Sequence, residues 1–340
     1  MVTRRYASGG EAVVLVAILA LPNVVAMEIV GLRDTFEEAC RQSRVTDLYQ
    51  VRVVAENAEP MRTFSGLVIV PDLGIDDPAG PIDTLAVAGG WGIPIPPSAA
   101  VGEWILRQVP STRRYGAVYT GGFALGALGL LDGRRVTTHW DYAAEFAAAF
   151  PKAIVERDHI FVRDGPLFTS AGTASSIDLA LSLIEEDCGR DLALTVARRL
   201  VLYLKRAGGQ PQFSVHLAAQ FASSTPIQRA QARVRDNPTG DLSVNQLARQ
   251  AGMSPRNFAR AFVAETTVTP ARAVERLRLE AARATVEDTA WPIDKIARDT
   301  GFGDTERMRR AFTRAFGQPP QALRRTARGE AAGGTAKSPG

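Results

Sequence analysis

The chain has 340 residues, 46% of them hydrophobic and 22% charged, with a formal net charge of +4. That length suits two domains, and that composition is ordinary for a globular protein that buries real cores. Two cysteines, Cys40 and Cys188, are too few for a disulfide framework, and three scattered histidines (His139, His159 and His216) argue against a histidine-based metal site.

In chain order, the first feature is the apolar run Ala12–Ala26 behind Arg4-Arg5, which has the outline of a secretory signal peptide. Glu11 interrupts its approach, Pro22-Asn23 breaks it, and Glu28 follows without a clear cleavage site. A parallel strand buried on both faces gives the same run, and we read it so. No clean apolar run reaches the length of a membrane span, so none is expected.

Val13–Leu21, Gln50–Ala55, Leu67–Pro71 and Thr84–Ala88 read as strands. The helical patterns Met27–Arg44 and Ala99–Val109 lie between them. Tyr115–Tyr119 is a further strand, which runs through Thr120-Gly121-Gly122 into a helical stretch, Phe123–Leu131. This alternation predicts βαβ units and a mostly parallel, flavodoxin-like sheet covered on both faces. Ser176–Ala207 reads as a long helical region broken near Cys188-Gly189, and Gly208-Gly209-Gln210-Pro211 ends it. The expected division is 10–207 for the α/β domain, 208–225 for a linker, 226–328 for an all-α domain and 329–340 for a disordered Gly/Ala/Ser-rich tail.

Charge divides at the same place. Residues 226–328 carry 19 Lys+Arg against 11 Asp+Glu, whereas residues 1–225 carry 20 against 24. Only the C-terminal part is suited to a polyanion, although on charge alone a solvated basic face explains it equally well.

That part holds an imperfect repeat. Leu247-Ala248-Arg249-Gln250-Ala251-Gly252-Met253-Ser254 precedes the helical stretch Pro255–Glu265. Ile296-Ala297-Arg298-Asp299-Thr300-Gly301-Phe302-Gly303 precedes Asp304–Phe316. Each has a short helix, a glycine turn, a capping residue (Ser254, Asp304) and a second helix. The apolar pairs Phe258/Phe262 and Met308/Phe312 form one stripe per second helix and leave the opposite face outward. That face carries Arg256, Asn257 and Arg260 in the first unit and Thr305, Glu306, Arg309 and Arg310 in the second. Arginine can bond guanine, asparagine adenine, and Glu306 could accept from cytosine N4. Two helix-turn-helix units in one chain could reach successive major-groove segments.

Residues 226–325 resemble the AraC/XylS DNA-binding domain. The specific carriers are Ile296-Ala297, Gly301-Phe302, the run Met308-Arg309-Arg310-Ala311-Phe312-Thr313-Arg314-Ala315-Phe316-Gly317-Gln318-Pro319-Pro320, and Arg324. The resemblance implies seven helices, with a long linker helix around Ala271–Thr285. It places Arg256, Ala259 and Arg260, and then Thr305, Glu306 and Arg310, at base-reading positions. Ala259 departs from the usual polar residue.

In the N-terminal part, Ala117-Val118-Tyr119-Thr120-Gly121-Gly122-Phe123 is a strand turning sharply into a helix, where α/β enzymes mount a nucleophile. Such edges also bind ligands in open α/β folds. Roughly Val13–Glu186 resembles the class I glutamine amidotransferase-like, PfpI-type domain. Its carriers are Met27-Glu28, Pro71-Asp72, Ala88-Gly89-Gly90, Tyr119-Thr120-Gly121, Leu130-Leu131-Asp132-Gly133-Arg134-Arg135, Thr138-His139-Trp140 and Thr169-Ser170-Ala171-Gly172. Catalytic members put cysteine at the turn, where Tyr119 stands here, and peptidase-like members put histidine next, where Thr120 stands. A phenol is mostly protonated at neutral pH and a poor substitute for a thiolate.

The expectation is therefore a pocket retained without catalysis. Its candidate ligand contacts are Glu28, Gly90, Trp91, Tyr119, Thr120 and His139. Glu28 could hold an amine or share a proton with a ligand carboxylate, and backbone N–H groups after Ala88-Gly89-Gly90 could take an anionic group. The plainer alternative makes Trp91 and His139 packing residues. The whole chain resembles the GlxA-type subgroup of AraC regulators. That implies a small-metabolite effector, homodimerisation and activation of catabolic operons for nitrogenous compounds. The expected partners are double-stranded DNA, the effector, RNA polymerase and a second copy of the chain, in the cytoplasm, with no membrane, cofactor or metal. Two rivals stay open: an amidase or hydrolase fused to a DNA-binding domain, and a pure interaction module.

Overall fold

The computed structural model describes residues 13–43, 45, 47–92, 96–202, 206–209, 212, 225–237, 239–266 and 268–327. The expected tail 329–340, and most of the expected linker, lie outside them. The chain divides into two compact units, residues 1–212 and 213–340. The first unit thus runs past the expected limit of 207. There, the Ile160 N–H donates to the Gly208 carbonyl at 2.9 Å, and the Gln212 amide donates to the Thr138 carbonyl at 2.8 Å.

The first unit contains β1 (Val14–Ala20), α1 (Ala26–Gln42), β2 (Tyr49–Ala55), β3 (Met61–Arg62), β4 (Val68–Ile69), β5 (Leu73–Gly74) and β6 (Thr84–Ala88). It continues with α2 (Ala99–Gln108), β7 (Arg114–Val118), α3 (Gly121–Ala127), β8 (Arg135–Val136), α4 (Ala143–Ala149) and β9 (Ile154–Val155). It closes with β10 (Phe161–Asp164), β11 (Leu167–Ser170), α5 (Ala174–Cys188) and α6 (Arg190–Arg199). Seven strands form one sheet in the order β10-β11-β7-β6-β1-β2-β5. All neighbours are parallel except the edge pair β10–β11.

The apolar run that resembled a leader is an interior strand of the sheet, flanked by β6 and β2. Val14, Val16, Ile18 and Ala20 point into one core with α1, α5 and α6. Leu15, Ala17, Leu19 and Leu21 point into the other with α2 and α3. A strand buried on both faces has no polar side, which explains its continuous hydrophobicity. The expected strand Leu67–Pro71 shrinks to β4, which pairs antiparallel with β3 in a separate two-stranded sheet. Its flanking residues Leu67 and Val70 are exposed, so burial did not recruit it to the main sheet. The predicted break in the last helical region falls at Gly189, whose φ of +89° separates α5 from α6.

Beneath the end of the sheet opposite the site described below, Arg114 and Asp187 are both about 1% exposed at their side chains. Arg114 donates to Asp187 at 2.5 and 3.1 Å, Arg113 at 2.8 Å and the Tyr49 hydroxyl at 2.9 Å. The carboxylate therefore ties β2, β7 and α5 together.

The second unit is all helical among its described residues. Its helices are α7 (Thr225–Asp236), α8 (Val244–Gln250), α9 (Pro255–Thr266), α10 (Pro270–Asp288), α11 (Ile293–Asp299), α12 (Thr305–Phe316) and α13 (Pro320–Ala327). Two separate cores form. Ile227, Leu247, Phe258 and Phe262 fill the first, and Ile296, Met308, Phe312 and Leu323 fill the second. The linker helix α10 gives Ala273, Val274 and Leu277 to the first core and Leu279, Ala282 and Val286 to the second.

Candidate nucleic-acid interface and effector pocket

Each helix-turn-helix is built as its sequence dictates. Gly252 and Gly301 sit at φ +67° and +83°, where a side chain would strain the turn. The Asn257 N–H donates to Ser254 Oγ at 3.4 Å and the Arg307 N–H to Asp304 Oδ1 at 2.8 Å, so both expected caps are in place. Phe258, Phe262, Met308 and Phe312 are fully buried. Arg256, Asn257, Arg260, Thr305, Glu306, Arg309 and Arg310 are all exposed, near the N-termini of α9 and α12. Ala259 is half-buried. Glu306 is engaged by its own helix. Arg309 donates to it through Nε and Nη2 at 2.7 and 2.8 Å. These bonds hold the Glu306 carboxyl below the usual range and raise the Arg309 guanidinium above its own.

In the first unit, Tyr119 occupies the turn between β7 and α3 with φ +58°, a strained conformation for a residue with a side chain. The turn geometry of a nucleophile mount is present, but the group it mounts is a phenol. Tyr119 is 1% exposed, and its hydroxyl has no hydrogen-bond partner among the described residues. Burial, with Tyr142 beside it, raises its pKa further and keeps it protonated. Thr120 donates to the Gly90 carbonyl at 2.6 Å, which fixes the turn against the end of β6.

Glu28, in the first turn of α1, is fully buried. The Thr173 N–H donates to Oε1 at 2.6 Å and the Ser176 hydroxyl to Oε2 at 2.5 Å. Burial outweighs these bonds and raises its pKa to about 7. Gly172, at φ +87°, lets this chain segment pass: a Cβ there would lie 2.6 Å from Tyr119 Cβ and 2.7 Å from Glu28 Oε1.

Aromatic rings surround Tyr119. Trp91 stacks at 6.2 Å between centroids, while His139 and Tyr142 meet it edge-on at 5.1 and 5.7 Å. Phe64 stacks on Trp91 at 5.2 Å. Burial lowers the His139 pKa, so the ring is neutral at pH 7.

A cavity of about 590 Å³ opens at the C-terminal ends of β1, β2 and β6. The chain runs from β1 to β2 on one side and from the adjacent β6 to β7 on the other, and open α/β sheets bind ligands at such a switch point. Of the expected contacts, Gly90, Trp91 and Thr120 line it; Glu28, Tyr119 and His139 do not. The expected anion site on backbone N–H groups is corrected. The Trp91 N–H is taken by the Asn23 carbonyl at 3.2 Å, and the Gly92 N–H by the Tyr142 hydroxyl at 3.3 Å. The cavity's cation is instead Arg62, which donates to the Gly66 carbonyl at 3.3 Å and has no carboxylate in ion-pair range among the described residues. Glu56, Asn57 and Met61 line it as well. No motif marks these four residues. They reach the cavity because β2 lies beside β1.

A DJ-1/PfpI family model matches residues 14–186, and a helix-turn-helix domain model matches residues 247–326. The chain is 28% identical over 307 residues to the HTH-type transcriptional regulator GbdR of Pseudomonas aeruginosa, covering 90% of this chain and 83% of that one. It is 33% identical over 186 residues to isonitrile hydratase of Pseudomonas putida, covering 54% of this chain and 77% of the hydratase. The crystal structure of an AraC family transcriptional regulator from Pseudomonas putida matches with a TM-score of 0.50 at 20% identity, over 55% of this chain and 99% of that one, which shows a shared fold. Two capped, arginine-bearing helices that follow, along the chain, an α/β unit of this topology agree with those matches. The chain belongs to the AraC-type, DNA-binding transcriptional regulators that carry an N-terminal DJ-1/PfpI domain.

Proposed function

We propose that the N-terminal unit is a non-catalytic sensor and that a small nitrogenous metabolite bound at the strand ends governs how the C-terminal unit acts on DNA. The observation that carries this reading is Tyr119: a strained turn built to present a nucleophile presents a buried, protonated phenol instead. The neighbouring cavity, lined by Arg62, Glu56, Met61 and Trp91, offers the mixed polar and apolar lining that small-molecule sites use.

On this reading Arg256, Asn257, Arg260, Thr305, Glu306, Arg309 and Arg310 form the DNA-contacting faces. Gly90, Trp91 and Thr120 belong to the effector pocket, with Glu28, Tyr119 and His139 packed behind it. The protein acts in the cytoplasm as a homodimer, in the manner of an activator that engages RNA polymerase. Residues 10–207 serve sensing and 226–328 serve DNA binding.

The test is a thermal-shift screen of the full chain against amino-acid and amine metabolites, since a ligand that binds only the native state raises its stability. A hit that also changes DNA affinity, and is lost in Arg62→Ala, supports the sensor. The relative named as a hydratase gives the enzymatic reading a concrete form. Turnover of isonitriles or amides by purified protein, abolished in Tyr119→Phe, would replace the sensor with an enzyme.

A further inference from the structure

The two recognition helices differ electrostatically. On α9, Arg256 and Arg260 are exposed, and no carboxylate among the described residues pairs with either. On α12, Glu306 takes two hydrogen bonds from Arg309, and Arg310 Nε stands 3.8 Å from the same carboxylate. Both Glu306 oxygens therefore already accept from Arg309, so the carboxylate is oriented by its own helix. A guanidinium carries five N–H donors in a rigid plane. Glu306 occupies the edge formed by Nε and Nη2. The opposite edge, with the outer hydrogens of Nη1 and Nη2, stays open, and two parallel donors of that kind match guanine O6 and N7.

We propose that Glu306 is a positioning residue that fixes Arg309 for a guanine, making α12 the stringent reader, while α9 with its unpaired arginines serves chiefly as an electrostatic anchor. Glu306 has a second effect: it offsets positive charge on α12 and so weakens that helix's attraction to phosphates of any sequence. The half-buried methyl of Ala259, where a donor would be needed for base reading, agrees with an anchoring role for α9. The inference rests on the outward faces being the DNA-contacting ones.

The experiment uses the full-length protein, a pool of duplexes with a randomised centre for site selection, and one random-sequence duplex for anisotropy titration across a salt series. Glu306→Ala is expected to bind the random duplex several-fold more tightly while the selected consensus loses one guanine. Glu306→Gln, which keeps one acceptor, should fall between. The double variant Arg256→Ala/Arg260→Ala should weaken binding to every duplex alike, reduce the salt slope by about 2, and return the wild-type consensus. A consensus unchanged by Glu306→Ala, or one altered by the α9 variant, overturns the division of roles. Arg310→Ala tests the outward faces separately. If it also leaves affinity and consensus untouched, the face assignment fails. If it changes them while Glu306→Ala does not, the face stands and the positioning role falls.

Discussion

The buried Glu28 makes a quantitative prediction about stability and pH. Its pKa rises from 4.5 to about 7 on folding because burial penalises the charged form more than its two hydrogen bonds favour it. The native state thus holds the proton that the unfolded chain releases. The resulting stabilisation is complete below about pH 4.5, falls as pH rises toward 7, and is gone above it. The shift in pKa is worth about 3 kcal/mol, a large part of a typical domain's net stability. Glu28→Gln keeps an acceptor for the Thr173 N–H and removes the titration. Urea unfolding of both proteins from pH 4 to 8.5, followed by the near-ultraviolet signal of buried Trp104, isolates the effect, because other groups titrate alike in both. The wild type should lose ground to the variant between pH 4.5 and 7 by about 3 kcal/mol in total, then run parallel to it. Parallel profiles across the whole range would show that Glu28 is charged in the native state and would refute the burial argument.

Asp187→Ala should destabilise the first unit by about 3–5 kcal/mol, because it removes the bidentate partner of the buried Arg114 and leaves Glu186 at 3.7 Å as its carboxylate; a calorimetric loss below about 1 kcal/mol would mean that Glu186 takes over the charge. Gly172→Ala should cost at least 1 kcal/mol, since the added Cβ meets Tyr119 and Glu28 below 3 Å in a left-handed conformation, and denaturant midpoints will show it. Arg310→Ala should lower affinity for a selected operator by about 1–3 kcal/mol if its guanidinium pairs with a guanine, as read by anisotropy. Wild-type affinity should fall steeply with added salt, and a flat dependence would contradict phosphate contacts by the arginine faces.

Much of this architecture is legible in the residues themselves. The strand β1 announces itself because both of its faces are buried, and the recognition helices do so because glycine turns, caps and a four-residue apolar spacing coincide. Sequence reasoning also locates the turn at Tyr119, because a tight strand-to-helix turn needs small residues directly after it. The cavity lining is different. Glu56 and Asn57 are ordinary polar loop residues and Arg62 ends the two-residue strand β3, and only the placement of β2 beside β1 brings them to the switch point. Likewise, the alternative partners of an N–H group cannot be read from spacing, so the expected anion site at Trp91 was already filled by Asn23. Glu306 and Arg309 stand three apart on a helix, where pairing is allowed, but spacing alone does not decide between a base and a neighbour as the acceptor's partner.

The linker helix α10 passes from one helical core to the other between Leu277 and Leu279, with no break in its 19 residues. A rod shared this way acts as a ruler. It fixes the phase between the two reading heads, so the spacing of bases they can read together is written into the helix's length. One residue inserted near Arg278 would turn one head by about 100° relative to the other, since the helix repeats every 3.6 residues. Such an insertion would leave each head folded and still able to grip DNA, yet no straight duplex would offer both of them their groove at once.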